Sequence, residues 1–76
     1  MKAYRVEEIE DSAVRATHMI EAFTPFQAAA RAIQREVTLR KDEADWIRVT
    51  EILTRARQDR DGDVFEYCVG RYPSHG

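Results

Sequence analysis

Two side chains in the strand-like parts of this 76-residue chain could act as a base or a nucleophile near neutral pH, His18 and Cys68. A histidine works as a general base only beside a substrate pocket and a proton-transfer partner. A cysteine works as a nucleophile only where a cation or a helix N-terminus lowers its thiol pKa. The second histidine, His75, stands in the C-terminal segment, and Cys68 stands in a strand-like run between Tyr67 and Val69. We therefore expect a structural histidine, a packing cysteine and no catalytic site, so the chain is predicted not to be an enzyme.

Metal and cofactor sites are not predicted either. A structural site built from thiolate or imidazole ligands needs three or four of them at suitable spacing, and one cysteine with two distant histidines does not supply them. The acidic run Asp59–Asp63 superficially resembles a calcium loop, but its glycine stands fourth instead of sixth and Gly70 takes the place of the final glutamate. No glycine-rich phosphate loop is present in the sequence. We expect the acidic run to be a solvated hairpin turn.

A group of four basic residues suggests an alternative chemistry. Arg31, Arg35, Arg40 and Lys41 stand against the single acid Glu36, so this part of the chain has a charge of about +3 by subtraction. Arg31 and Arg35 are one helical turn apart, and arginine suits phosphate contacts. However, nucleic-acid-binding domains often have a pI above about 9, whereas this chain has a pI near 5.6. A nucleic-acid-associated accessory protein is therefore the alternative function, and an ordinary solvated helix face is favoured.

Composition and length restrict the class of protein. The chain is 43% hydrophobic and 34% charged, which is typical of a folded soluble domain. Its length predicts one domain over residues 1–72, with a flexible tail at 73–76. The sequence has no apolar run of about 20 residues, no signal-peptide core, and one cysteine that cannot form an internal disulfide. We expect a cytoplasmic protein with no membrane contact and no cofactor.

The clearest structural element is a helix that begins at Pro25. Thr24 is a favourable N-cap, proline suits the first helical position, and Gln27 completes a capping box. Apolar residues then recur at helical spacing, which predicts a helix from Pro25 to Leu39 or Lys41. The apolar stripe consists of Phe26, Ala29, Ala30, Ile33 and Val37.

Alternating residues before the helix predict a hairpin of strands Ala3–Ile9 and Val14–Phe23. The segment 44–58 after the helix is ambiguous. Its aromatic and β-branched residues favour a strand from Trp46 onwards, but Trp46, Val49, Leu53 and Ala56 also fit a helical stripe. We favour the strand.

The C-terminal part contains a turn signal followed by one further strand. Asp61-Gly62 is the strongest turn signal, so the turn is predicted within Asp59–Asp63. Val64–Tyr72 then alternates as a strand. The element order is therefore β-β-α-β-β. This order predicts an α+β two-layer sandwich, with one amphipathic helix packed on a four-stranded, mainly antiparallel sheet.

The predicted core lies between the helix and one sheet face. Its members are Tyr4, Val6, Ile20, Phe26, Ala29, Ala30, Ile33, Val37, Ile47, Val49, Phe65, Tyr67 and Val69.

The other face of the predicted sheet has no cover from its own chain. Apolar side chains there would favour a partner, and exposed strand edges offer a second route to self-pairing. The alternative is that long side chains such as Arg48 and Glu66 shield this face. We expect a non-catalytic interaction module that forms a homodimer through this face or through a strand edge. The candidate interface residues are Trp46, Ile52, Val64, Cys68 and Tyr72.

Thr24–Ala28, Arg31-Ala32 and Trp46–Thr50 together resemble segments of small bacterial or phage-borne proteins. The resemblance covers about half of the chain, consists mainly of helix capping, and implies no activity.

Overall fold

The computed structural model of the chain describes residues 1–55 and 58–69. These residues form a five-stranded antiparallel sheet with one helix on one face, and the strand order is β2-β1-β4-β5-β3. The α+β class and the helix-on-sheet packing are confirmed, but the predicted four-stranded β-β-α-β-β arrangement is wrong in detail because a short strand follows the helix. The elements are β1 Lys2–Glu10, β2 Ala13–Ala22, α1 Pro25–Ile33, β3 Val37–Leu39, β4 Trp46–Arg55 and β5 Gln58–Val69.

Helix α1 begins at the predicted residue and ends earlier than predicted. The Thr24 hydroxyl accepts a hydrogen bond from the Gln27 amide at 3.1 Å, as an N-cap should. Gln34 adopts a left-handed conformation (φ 60°, ψ 36°), and its amide donates to the Ala30 carbonyl at 2.8 Å. This C-cap stops the helix. The predicted end at Leu39 or Lys41 is wrong because Val37–Leu39 instead pairs with β5.

Strands β1 and β2 form the predicted hairpin. Asp11 and Ser12 connect them, and both have positive φ (50° and 68°), as both central residues of a type I′ turn must. The register shifts between Glu8 and Ile9, where Glu8 pairs with Ala16 and Ile9 pairs with Val14. Arg15 is therefore an extra residue on β2, which forms a β-bulge.

Residues 46–55 form a strand, as favoured, but the predicted turn at Asp59–Asp63 is wrong. These residues belong to β5, which pairs antiparallel with β4 from Gln58 opposite Arg55 onwards. Gly62 instead lies at a register shift between β4 and β5. A Cβ atom there would lie 3.0 Å from Leu53 Cγ and 3.1 Å from the Glu51 carbonyl oxygen. The glycine allows this close approach of two strands at a bulge.

The core lies between α1 and the sheet, as predicted, with differences along the helix. Ala28 is fully buried although the predicted stripe omits it, and Phe26 is half exposed with its ring edge-on to Tyr67 at 5.9 Å. The difference arises because alanines let a short helix approach the sheet closely, which leaves the larger Phe26 at the rim. The buried cluster comprises Tyr4, Val6, Ala22, Ala28, Ala29, Val37, Ile47, Val49 and Tyr67, with Ile20, Ala30, Ala32, Ile33, Phe65 and Val69 packed against it.

Two further predictions concern the ends of the chain and the membrane. Tyr72 and the predicted tail at 73–76 lie outside the described residues. Within residues 1–55 and 58–69, no helix has the length and apolar character needed to cross a bilayer.

Candidate functional site

The sheet face opposite α1, here called the reverse face, carries paired charges at its centre. Strand alternation places Glu7 of β1 and Arg48 of β4 on this face, directly opposite each other. The Arg48 guanidinium donates to both carboxylate oxygens of Glu7, at 2.8 and 3.0 Å. These hydrogen bonds hold the pKa of the Glu7 carboxyl below its usual value, although burial opposes the shift.

Further ion pairs extend this arrangement across the reverse face. Arg5 donates to Asp61 at 3.0 Å, and its Nε lies 3.6 Å from the Glu7 carboxylate. Arg40 donates to Glu66 at 3.0 Å. Thr50, in the middle of β4 on the same face, is only 1% exposed although α1 lies on the other side. The long charged side chains therefore shield the centre of the reverse face.

The candidate interface residues do not form one continuous apolar surface. Trp46 and Ile52 lie on the reverse face of β4, but Arg48 and Thr50 stand between them. The Arg40 guanidinium lies 4.1 Å from the centre of the Trp46 ring, in the position of a cation–π contact.

The other members of that set differ in exposure. Val64 is 53% exposed and pairs with Thr50. Cys68 is buried, with its sulfur 3.2 Å from the Thr38 hydroxyl. Tyr72 lies outside the described residues. This arrangement resembles the alternative expectation from the sequence, in which the long side chains of Arg48 and Glu66 shield the reverse face from water.

The four basic residues of the alternative function are also separated. Because α1 ends at Ile33, Arg35 does not lie one helical turn from Arg31 on a common face. Arg31 donates to the Glu21 carbonyl at 2.8 Å, and Arg40 is engaged by Glu66 and by the Glu43 carbonyl. Lys41 is exposed in the β3–β4 connection. The structure does not bring these cations together into one basic helix face.

The two candidate reactive residues lie on opposite faces of the sheet. His18 pairs with Val6, whose side chain is in the core, whereas Cys68 neighbours the core residue Tyr67 along β5 and therefore points to the reverse face. The His18 Nε2 lies 2.6 Å from a carboxylate oxygen of Glu8, and both side chains are about one-third exposed. In the described part of the chain, no three potential metal ligands converge.

An open groove of about 740 Å³ lies at one end of the sheet, next to the end of α1 and the β3–β4 connection. Its apolar lining includes Ile9, Ile33 and Trp46, and its rim carries side chains of both charges, such as Arg35 and Glu36. Because the rim carries both positive and negative side chains, the groove favours neither anionic nor cationic ligands.

Strand β2 is the long edge of the sheet. It pairs with β1 on one side, and on its other side the described residues place no strand. The opposite edge consists of the three-residue β3 and of β5 residues 58–65, which have no described strand on their outer side. That part of β5 carries the charged Asp59, Arg60, Asp61 and Asp63, and charged side chains on an edge oppose pairing with another strand. β2 has ten residues, of which Arg15 and Glu21 carry full charges, and Met19 is 63% exposed. Sequence reasoning named a strand edge as a possible interface, but the pattern of residues did not indicate which strand lies at the edge.

The hydrogen-bond phase of the sheet shows which main-chain groups of β2 point outwards. The Arg40 amide donates to the Glu66 carbonyl, so the even-numbered residues of β5 near this point bond to β3. Antiparallel strands alternate between bonding to one neighbour and to the other. The odd-numbered residues of β5 therefore bond to β4, and the same alternation continues through β4 and β1 to β2. It gives the even-numbered residues of β2 their bonds to β1, so the main-chain groups of Thr17, Met19 and Glu21 point away from β1. The bond from Arg31 to the Glu21 carbonyl agrees with this phase.

The chain matches no protein-family model, no curated protein sequence and no solved structure at a significant level.

Proposed function

We propose that this protein is a non-catalytic interaction module that forms a homodimer by pairing the β2 edges of two copies. The observation that carries the proposal is the ten-residue edge strand with outward main-chain groups at Thr17 and Met19. Unpaired main-chain groups at the edge of a sheet are a template for adding another strand. Pairing two such edges would join the two sheets into one.

The reverse face supports the proposal less well as the contact surface. Its central side chains, such as Glu7 and Arg48, already satisfy each other. Covering them with a second copy would remove their remaining hydration, which costs free energy unless new partners are supplied. Main-chain groups at a free edge exchange water for equivalent partners in another strand, so edge pairing avoids this cost.

The size of the chain also favours a second copy as the partner. A domain of this length buries only about 60% of the surface that its unfolded chain exposes. Edge pairing would cover part of the exposed Met19 side chain and extend the sheet. A two-fold arrangement uses the same patch on both chains, as closed homodimers do.

The test is molar mass by light scattering after gel filtration, measured over a range of protein concentrations. The unaltered chain is expected to reach the mass of a dimer. Met19→Lys, which places a charge on the edge, is expected to raise the dimer dissociation constant at least about tenfold. Val64→Lys is the matched control, since Val64 is similarly exposed but lies on β5.

Two results would contradict the proposal. One is a monomer at every concentration up to several hundred micromolar. The other is a dimer that Val64→Lys disrupts and Met19→Lys leaves intact, which would locate the contact at β5, on the reverse face or on its outer edge.

A further inference from the structure

The free part of the β2 edge is short, because both of its ends are modified. At one end Arg15 forms the β-bulge, which interrupts regular pairing. At the other end the Arg31 guanidinium donates a hydrogen bond to the Glu21 carbonyl at 2.8 Å, so this carbonyl already has a partner. The main-chain groups that remain free for a partner strand are those of Thr17 and Met19. A second strand must therefore find its register within this short window.

Only a few two-fold registers use these free groups. In an antiparallel pair centred on one residue, positions equally far from the centre face each other. Centring on Thr17 or Met19 makes that residue face its own copy, and centring on His18 makes Thr17 face Met19. The arrangement centred on Thr17 pairs Met19 with Arg15 of the bulge, and the arrangement centred on Met19 pairs Thr17 with Glu21, whose carbonyl already accepts from Arg31. The arrangement centred on His18 pairs the two free residues, Thr17 and Met19, with each other, so all four of its central main-chain hydrogen bonds use free groups.

Charge complementarity favours the same register. Counting three positions each way from His18 brings Arg15 of one copy opposite Glu21 of the other, twice by symmetry. Arg15 also donates to Glu10 of its own chain at 3.1 Å, so Glu21 would share this guanidinium with Glu10. Centring on Thr17 would set Arg15 against Met19, and centring on Met19 would set Glu21 against Thr17, so neither pairs opposite charges. Opposite charges across neighbouring strands contribute about 0.2–1 kcal/mol per pair relative to alanine.

Side-chain size agrees as well. On the helix side of the sheet, the register centred on His18 sets the small Ala16 opposite the larger Ile20 of the other copy. On the reverse face it sets Thr17 opposite Met19.

We propose that two copies of β2 pair antiparallel about a two-fold axis at His18, with Arg15 of each copy facing Glu21 of the other. This inference rests on the proposed function, because it specifies the register of that contact. The two His18 residues then form a pair that is not hydrogen-bonded through the main chain, with Cα atoms about 4.5 Å apart. Arg31 acts as a positioning residue, because it removes the Glu21 carbonyl from the set of free acceptors.

Cysteine cross-linking measures this register. Each variant carries Cys68→Ser, which removes the native thiol, and one new cysteine at position 17, 18 or 19. Disulfides need Cα atoms about 4.4–6.8 Å apart. His18→Cys is therefore expected to cross-link to itself under mild oxidation. Thr17→Cys and Met19→Cys are expected to cross-link to each other when mixed, and much more slowly alone.

A charge-reversal series provides a second measurement that does not alter His18. Arg15→Glu and Glu21→Arg are each expected to raise the dimer dissociation constant about threefold to tenfold. The double variant Arg15→Glu with Glu21→Arg is expected to recover most of the loss. Both residues are exposed, so these variants are expected to fold.

The outcomes separate the inference from the proposed function. A dimer in which Thr17→Cys or Met19→Cys cross-links to itself faster than His18→Cys would overturn the register while keeping the β2 contact. The same holds for a dimer that the double charge reversal fails to restore. A chain that stays monomeric, or a dimer in which none of the three cysteines cross-links, would overturn the β2 contact itself.

Discussion

Glu7 and Arg48 face each other across β1 and β4 and share two hydrogen bonds, of 2.8 and 3.0 Å. The two residues are 41 positions apart in the sequence. A two-point contact between a guanidinium and a carboxylate fixes both side chains in one plane. Because this pair lies at the centre of the reverse face, charged side chains cover the part of that face where residues 1–55 and 58–69 place no helix.

We predict that Glu7→Gln destabilises the protein by about 1–3 kcal/mol, since it removes the charge from a buried acceptor of two hydrogen bonds. Urea unfolding followed by circular dichroism measures the effect. The matched control is Glu10→Gln, because Glu10 pairs with Arg15 at an exposed position. The control is expected to change stability by less than about 1 kcal/mol. A loss for Glu7→Gln as small as the one expected for the control would show that the Glu7 pair does not stabilise the sheet.

Acid sensitivity should follow from the lowered pKa of Glu7. A carboxyl whose pKa is lower in the folded state stabilises the fold above its unfolded pKa of about 4.3. That contribution disappears as the pH falls through the folded pKa. The free energy of unfolding should therefore fall less steeply below about pH 5 in Glu7→Gln than in the unaltered chain. The two profiles would be parallel if Glu7 had the same pKa in both states.

A second carboxyl has a lowered pKa in the folded protein. The Lys41 amide donates to Glu43 and lowers the pKa of that exposed carboxyl. Glu43 is present in both proteins, so comparing the two pH profiles isolates the contribution of Glu7.

Gly62→Ala should destabilise the β4–β5 hairpin by about 1 kcal/mol, because the added methyl would lie 3.0 Å from Leu53 Cγ and 3.1 Å from the Glu51 carbonyl. The Leu53 side chain can move, but the main-chain oxygen is held by the strand. Asp63→Ala is the control, since Asp63 is the exposed neighbour at the same bulge. Thermal unfolding compares the two, and a stabilised Gly62→Ala would show that the bulge has room for a side chain.

The alternative function predicts a different result from the one we expect. In an NMR titration with mixed DNA and RNA at low salt, our account predicts no amide shifts confined to α1, because Arg31, Arg35 and Arg40 do not share one face. Arg35→Glu serves as the variant. Helix-confined shifts that this substitution abolishes would instead favour a nucleic-acid-associated protein.

Local sequence signals predicted the start of an element correctly where a few neighbouring residues determine it. Thr24, Pro25 and Gln27 set the start of α1, and they do so without help from the rest of the chain. The end of α1 was missed because Val37 continues the helical spacing of Ile33. The left-handed residue that ends the helix is Gln34, whereas a glycine is the residue that usually indicates such an end in a sequence.

Long-range features could not be predicted in this way. Asp61-Gly62 is a strong local turn signal, yet pairing with β4 uses its glycine at a bulge. The reverse-face ion pairs join residues far apart in sequence, and the strand order that leaves β2 at the edge depends on all the strands together. The residue pattern could therefore suggest a face or an edge as the interface, but it could not choose between them.

Hydrogen exchange at the β2 amides tests the central claim most directly. In a monomer, the Ala16, His18 and Ile20 amides are protected by β1, while those of Thr17 and Met19 face outwards and exchange fast. The account predicts that Thr17 and Met19 gain at least about tenfold protection as the concentration rises through the dimer dissociation constant. Fast exchange at both amides in a sample whose measured mass is that of a dimer would contradict the β2 contact.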